Sequence, residues 1–167
     1  MADFRFEHEF RGSQDHYWQI FFDREASATQ MESEGITDYE FLELSVDGPI
    51  WRRVITATPS RDLPSVIRKV TGASLGYTET TLFDKAAGTA KTSVVTKTMG
   101  KRIDFGGTHS LETVSDGVFR RIFAGAVNVR ITLVGKRVEK AIMADMAKSY
   151  ERGAVLTQKR LEGWADR

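Results

Sequence analysis

The chain has 167 residues, with 24 basic and 23 acidic side chains and no cysteine. This composition excludes disulfides, thiolate metal ligands and a cysteine nucleophile. The formal net charge of +1 argues against nucleic acid or an anionic membrane surface as a partner. No apolar run approaches the roughly 20 residues of a membrane span, and the first residues lack the apolar segment of a signal peptide. We therefore expect one domain over residues 1–167, in the cytoplasm, with no integral membrane span.

The first residues alternate strictly between apolar and charged side chains. Phe4, Phe6, His8 and Phe10 share one face over residues 3–11, which predicts a half-buried strand. Ser13 then stands where a helix N-cap is expected. Two short helices follow in the prediction, the second over residues 24–33.

From residue 36 the hydrophobic period returns to two. Six strand-like runs are predicted, over residues 39–46, 50–58, 75–83, 89–98, 103–114 and 118–134. A short amphipathic helix interrupts them around residues 63–70. The apolar parity shifts between Phe41 and Leu42, which indicates a β-bulge. In the last run, apolar residues at 127, 129, 131 and 133 predict one continuous strand face.

Residues 135–164 carry a single apolar stripe at helical spacing. Its members are Val138, Ile142, Met146, Tyr150, Gly153, Thr157, Leu161 and Trp164. A helix of about 45 Å with one stripe needs a long partner surface, which only the strands can supply. We predict an α+β fold: a curved antiparallel sheet of about seven strands wrapped around a long C-terminal helix, with two short helices after the first strand.

This order of elements resembles the helix-grip fold of the START-like (SRPBCC) superfamily, which includes the birch-pollen allergen, polyketide cyclases and lipid-transfer domains. Three segments are similar to a bacterial subfamily of unknown function within it: residues 62–68 (DLPSVIR), 77–80 (YTET) and 131–139 (ITLVGKRVE). The resemblance implies a cavity between sheet and C-terminal helix, usually for an apolar or amphipathic ligand. It implies no particular catalytic residue, because members of the superfamily differ in chemistry.

Two of the three histidines lie on predicted inward faces. His8 shares its face with three phenylalanines, and His109 shares one with Phe105 and Leu111. Each is a candidate polar group in the cavity, for ligand recognition or proton transfer. The commoner case, which we favour, is a hydrogen-bonded histidine of the core or its rim.

Two arginine pairs lie in predicted strands, where neighbouring residues face opposite sides of the sheet. If Trp51 points inward, so does Arg53. If Phe119 points inward, so does Arg121. An inward arginine could bind a carboxylate or phosphate group of a ligand through two parallel hydrogen bonds. It could instead pair with a carboxylate of the cavity, such as Glu79.

The remaining candidate cavity residues are apolar or aromatic. They are Phe6, Tyr77, Phe105, Phe123, Ile142, Met146 and Tyr150. We predict no metal, because no histidine pair has helical metal-site spacing. We predict no cofactor, because the sequence contains no phosphate-binding loop or dinucleotide fingerprint, and we assign no catalytic residue. Residues 72–76 (GASLG) match the G-x-S-x-G sequence pattern of a hydrolase nucleophile. That motif requires a strand before it and a helix after it, the reverse of the order predicted here.

Three hypotheses for the function remain open. The first, ranked highest, is binding or carriage of a hydrophobic or amphipathic small molecule, such as a lipid, an acyl chain or a polycyclic compound. The second is a cyclase or dehydratase that uses a histidine held by a carboxylate as general acid or base. The third is a protein-interaction module with an unidentified partner, whose core is filled so that Phe6, Tyr77, Phe105 and Met146 pack without a cavity.

Overall fold

Seven antiparallel strands and four helices make up the described part of the chain. The computed structural model describes residues 1–59, 62–72 and 75–165. The elements in chain order are β1 (Ala2–Arg11), α1 (Gln14–Phe21), α2 (Arg24–Ser33), β2 (Asp38–Ser45), β3 (Ile50–Thr58), α3 (Ser65–Thr71), β4 (Tyr77–Asp84), β5 (Thr89–Thr96), β6 (Gly100–Ser115), β7 (Val118–Val129) and α4 (Gly135–Gly163). Ser74, the central residue of the G-x-S-x-G text, lies outside the described residues.

The strands form one curved sheet in the order β1-β7-β6-β5-β4-β3-β2. Strands β2 to β7 follow each other as antiparallel hairpins, whereas β1 pairs with β7 at the far edge. The α1–α2 excursion carries the chain from one edge of the sheet to the other. Helix α4 then packs on β1 and β7. The predicted α+β helix-grip architecture is confirmed. Among the described residues, no helix is long and apolar enough to span a membrane.

Helix α4 divides the core into two clusters along its length. The first cluster, under the N-terminal half of α4, contains Phe4, Ile67, Phe123, Val127, Val138, Ile142 and Met146 among others. The second cluster, toward the C-terminal end of α4, contains Phe10, Tyr17, Trp18, Phe83, Phe119 and Leu161 among others. The predicted stripe of α4 therefore contacts two separate apolar surfaces, and the region between them is where the site lies.

Local signals in the sequence fix several elements closely. In β1 the even-numbered residues from Phe4 to Phe10 are buried or half-buried and the charged ones are exposed. The hydroxyl of Ser13 accepts a hydrogen bond from the backbone N–H of His16, as expected of an N-cap. The predicted bulge in β2 appears as a register shift between Phe41 and Glu43.

The last predicted strand is too long. Strand β7 ends at Val129, and the predicted strand residues 130–134 form a turn into α4. Leu133 has φ +72° and is 97% exposed, which a strand on the core face could not allow. The backbone N–H of Val129 donates to the Glu139 carboxylate of α4. This contact joins the last residue of β7 to the helix, and apolar alternation alone could not indicate it.

Strands β6 and β7 come unusually close at three glycines. Gly107 pairs with Gly125 across the two strands, and Gly106 is the neighbour of Gly107. A Cβ atom on Gly125 would overlap the carbonyl oxygen of Gly106 and lie 2.5 Å from the Cα atom of Gly107. Backbone atoms on both sides leave no flexible group to move away, so this position requires glycine.

We predict that Gly125→Ala lowers the free energy of unfolding by about 3 kcal/mol or more, because the added methyl group forces the two strands apart. Urea denaturation measures the change. Gly163→Ala is the matched control, since a Cβ there meets nothing within 4 Å. Equal stability of Gly125→Ala and wild type would contradict the close approach of β6 and β7.

Candidate functional site

A cavity of about 170 Å³ lies between the concave face of the sheet and helices α1, α2 and α4. It occupies the boundary between the two core clusters. The helices contribute aromatic side chains to the cavity wall, namely Tyr17 and Phe21 of α1 and Tyr150 of α4. The strands contribute mainly polar side chains. Those polar side chains are the inward residues of β3 to β7, namely Arg53, Glu79, Thr92, His109 and Arg121.

Arg53 is held by several acceptors at one side of the cavity. Its Nη2 donates to Glu79 Oε1 at 2.7 Å, and its Nη1 donates to the carbonyl oxygen of Phe21 at 2.6 Å and to the Ser27 hydroxyl at 3.1 Å. The guanidinium also lies 4.4 Å from the centre of the Phe21 ring. These contacts fix the side chain and pair its charge with a carboxylate, so Arg53 joins β3 and β4 to α1 and α2.

Arg121 lies at the other side and is only 5% exposed. Its Nη2 donates to His8 Nδ1 at 2.8 Å, because β1 and β7 place the two residues directly opposite each other. Since arginine is always the donor, His8 must carry its proton on Nε2, which then donates to Glu151 Oε1 at 3.0 Å. The guanidinium also faces the rings of Phe10 and Tyr150, at 5.2 and 5.1 Å from their centres.

His109 is 1% exposed and stacks on Phe123, with ring centres 3.9 Å apart and planes 4° apart. Burial lowers the pKa of His109 well below its ordinary value, and the positive charges of Arg121 and Arg53 lower it further. The imidazole is therefore neutral at physiological pH. Its Nδ1 atom has no hydrogen-bond partner among the described residues.

Two tyrosine hydroxyls complete the polar set. Tyr17 is 2% exposed, and its hydroxyl has no partner within the described part of the chain. Burial raises the pKa of the Tyr150 hydroxyl, and the charge of Glu79 adds to the rise while Arg121 opposes it. The Tyr150 hydroxyl therefore remains protonated and can act as a hydrogen-bond donor.

The predicted site residues separate into three groups. Arg53, Tyr77, His109, Arg121 and Tyr150 line the cavity. His8 lies behind Arg121 and contacts it. The remaining candidates pack with the first core cluster and do not line the cavity: Phe6, Phe105, Phe123, Ile142 and Met146. The parity argument for Arg53 and Arg121 agrees with their positions, whereas a role for any of these residues in ligand binding stays a prediction.

Sequence reasoning did not single out several lining residues. Thr157 belongs to the predicted stripe of the C-terminal helix but is not among the predicted cavity residues, and no sequence pattern distinguishes Tyr17 or Ser27. Thr92 follows the alternation of β5, where a buried hydroxyl bonded to Thr81 at 2.8 Å replaces an apolar side chain. A polar residue at a strand position where the alternation predicts an apolar one is the sequence signal that could have identified such lining residues. Among the described residues, no three His, Asp or Glu side chains are grouped as metal ligands.

The neutral, buried state of His109 predicts a pH dependence of stability. The pKa of His109 in the folded chain lies below the value of about 6.5 for an unfolded chain, so below that pH the unfolded chain binds a proton that the folded chain does not. Stability should therefore fall as the pH falls, by up to about 1.4 kcal/mol per pH unit. Urea denaturation from pH 5 to 8.5 measures this slope.

His109→Phe should reduce the slope between pH 5 and 6.5 because it retains an aromatic ring against Phe123 but cannot bind a proton. Wild type and variant should show the same slope above pH 7.5. Equal slopes below pH 6.5 would contradict a buried neutral histidine.

The Arg53–Glu79 pair predicts strong coupling in a double-mutant cycle. Arg53→Met and Glu79→Met should each cost about 2 kcal/mol, because each leaves a partly buried charge without its partner. The double variant should cost less than the sum, with a coupling of about 1–3 kcal/mol. The exposed Arg52–Glu43 pair is the control and should couple by less than about 1 kcal/mol. Similar coupling in the two pairs would contradict the buried role of Arg53.

Comparison with solved structures finds the same fold at low sequence identity. Norcoclaurine synthase from Thalictrum flavum, in complex with dopamine and hydroxybenzaldehyde, matches with a TM-score of 0.68 at 12% identity, covering 98% of this chain and 88% of the other. The Zhui aromatase/cyclase from Streptomyces sp. R1128 matches with a TM-score of 0.66 at 11% identity, covering 96% and 93%. A START superfamily protein from Mycobacterium smegmatis matches with a TM-score of 0.63 at 14% identity, covering 98% and 99%.

No curated protein matches the sequence. A family described as "Protein of unknown function (DUF2505)" matches residues 5–161. The solved structures agree on the helix-grip architecture, and the family match spans β1 to the end of α4. The chain therefore belongs to the DUF2505 family and has the fold of the START-like superfamily.

Proposed function

We propose that this protein binds a small amphipathic organic molecule in the cavity between the sheet and helices α1, α2 and α4. The observation that carries the proposal is an aromatic cavity whose lining residues carry buried polar atoms without a hydrogen-bond partner among the described residues. These atoms are Tyr17 Oη, Arg53 Nε, His109 Nδ1 and Arg121 Nε.

Such a group of atoms is costly in a core that serves stability alone. A buried donor or acceptor without a partner costs about 1–3 kcal/mol, so native cores contain few of them. Here four lie around one cavity, between two well-packed apolar clusters. A ligand with a polar end would satisfy them while its apolar part contacts the aromatic rings. Functional sites are where proteins keep such exceptions.

The cavity volume favours a ligand of about one aromatic ring. An apolar cavity of about 150 Å³ holds a benzene molecule, and typical drug-sized pockets measure about 300–1,000 Å³. At about 170 Å³, this cavity lies at the small end of that scale. A long acyl chain or a polycyclic compound would need the walls to move.

The solved relatives support a ligand of this size without identifying it. The norcoclaurine synthase structure contains dopamine and hydroxybenzaldehyde, each with one aromatic ring. Identity to this chain is 12%, so the likeness carries the fold alone and not the chemistry.

One observation favours an enzyme as the second candidate. His109 is a neutral imidazole among converging polar groups, which suits proton transfer. However, the histidine that a carboxylate holds is His8, which contacts Glu151 and lies outside the cavity lining. A core filled throughout fits less well, because Phe6 and Met146 pack in the first core cluster while Tyr77 lines the cavity. Binding without catalysis therefore needs the fewest additional features.

Two measurements test the proposal. Mass spectrometry of an organic extract of the purified protein, beside a matched blank, would show a stoichiometric small molecule. Thermal unfolding with a panel of one-ring compounds, such as phenol, benzaldehyde and benzoate, should show stabilisation. A ligand at 100 times its dissociation constant stabilises a protein by about 2.7 kcal/mol. An empty extract together with no stabilisation by any compound would refute the proposal.

A cavity-filling variant provides a sharper prediction. Ser149 lines the cavity from α4, so Ser149→Phe should place a ring inside it and abolish stabilisation by the one-ring compounds. Ala144→Phe is the matched control, because Ala144 is exposed on the same helix. It should bind as wild type does. Binding retained by Ser149→Phe would place the ligand elsewhere on the protein.

A further inference from the structure

We propose that the ligand carries a carboxylate and that Arg121 binds this carboxylate inside the cavity. The inference rests on the proposed function and adds the chemical class of the ligand: an aromatic carboxylic acid of about one ring, bound in its ionised form.

Five residues with a formal charge line the cavity, two acidic and three basic. Four of them belong to ion pairs. Arg53 and Glu79 pair with each other, whereas Glu34 pairs with Arg152 and Arg160 pairs with Glu25, both of which lie outside the lining. Arg121 is the exception, since no carboxylate of the described residues lies within salt-bridge distance of its guanidinium. It is also the most buried of the three lining arginines, with 5% of its surface exposed.

A buried charge without an opposite charge is destabilising, so its surroundings must compensate. Three neutral contacts do so in part here: the Nδ1 lone pair of His8 and the faces of Phe10 and Tyr150. None of them cancels the charge. Nε of Arg121 still lacks a partner among the described residues. An anionic group in the cavity would supply both the missing charge and the missing acceptor.

The nearby carboxylate of Glu79 does not fill this role. It accepts from Arg53 Nη2 at 2.7 Å and from the Thr81 hydroxyl at 3.5 Å. The Arg53–Glu79 pair is therefore neutral as a unit, and His109 is neutral because its pKa is lowered. The positive charge of the cavity is concentrated at Arg121.

The remaining wall determines what the anion is attached to. Tyr150 stacks on Phe123 at 5.1 Å, and Tyr150 also faces the Arg121 guanidinium. Phe21 lies across the cavity, edge-on to His109. An aromatic ring suits these surfaces, because ring pairs contribute beyond their buried area. Tyr17 Oη is a further donor for the carboxylate.

His8 acts as a positioning residue rather than as a ligand contact. It accepts from Arg121 Nη2 and donates to Glu151, so that one guanidinium nitrogen is held at the sheet edge. Nε keeps no acceptor among the described residues, and in the proposal a carboxylate oxygen of the ligand takes that place. An arginine restrained in this way loses less conformational freedom when the ligand binds.

Titration calorimetry with benzoate and benzamide at pH 7.5 tests the inference. The two probes have nearly the same shape, but only benzoate carries a charge. Wild type should bind benzoate at least about tenfold more tightly, because hydrogen bonds between ionised groups are the strong ones. Arg121→Met should remove this preference. Arg120→Met is the matched control: Arg120 is the neighbouring residue of β7, faces outward and pairs with Glu9 at 2.9 Å.

Each outcome separates the inference from the proposed function. If wild type binds both probes equally, or prefers benzamide, the carboxylate assignment is overturned while small-molecule binding stands. If neither probe nor any other one-ring compound binds, both fail. If benzoate is preferred but Arg121→Met keeps the preference, the assignment to Arg121 is wrong. The comparison in wild type requires no variant, so it decides the ligand class even if Arg121→Met fails to fold.

Discussion

The structure depends on the packing of one long helix against a curved sheet. Helix α4 has a single apolar stripe, and the sheet must curve to meet it along 29 residues. The stripe is continuous along the sequence, but its residues pack in two separate core clusters. Val138, Ile142 and Met146 pack in the first cluster, and Leu161 packs in the second. Between them Gly153 faces the side chain of Gln30 from α2 instead of the sheet. The cavity lies in this interval.

The sheet register determines which polar groups meet in that interval. His8 and Arg121 are opposite each other in β1 and β7, and Arg53 lies opposite Thr81, two residues from Glu79. Each polar residue occupies an inward strand position where an apolar side chain would pack more favourably. The result is a set of arginines, hydroxyls and one imidazole inside an aromatic wall. Such an arrangement costs stability, and ligand recognition gives a physical reason for it.

The small volume changes which ligand property matters most. A large cavity can select for chain length or ring number through buried apolar area. A cavity of about 170 Å³ accepts little apolar area, so the polar end contributes a greater share of the affinity. A buried arginine without a carboxylate is suited to that role. Its hydrogen bond to His8 and the faces of Phe10 and Tyr150 keep it in place before a ligand arrives.

Local periodicity in the sequence determined the elements, their order and the direction of individual side chains. The alternation in β1, the cap at Ser13, the stripe of α4 and the inward direction of Arg53 and Arg121 follow from backbone geometry over a few residues. Tertiary structure decided the rest. The backbone N–H at the end of β7 donates to Glu139 of α4, and the partner of Arg121 lies 113 residues away in β1. Whether Phe123 packs in the core while Tyr77 lines a cavity depends on contacts among distant segments. Apolar patterns do not encode such contacts, because a filled and a hollow core require the same alternation.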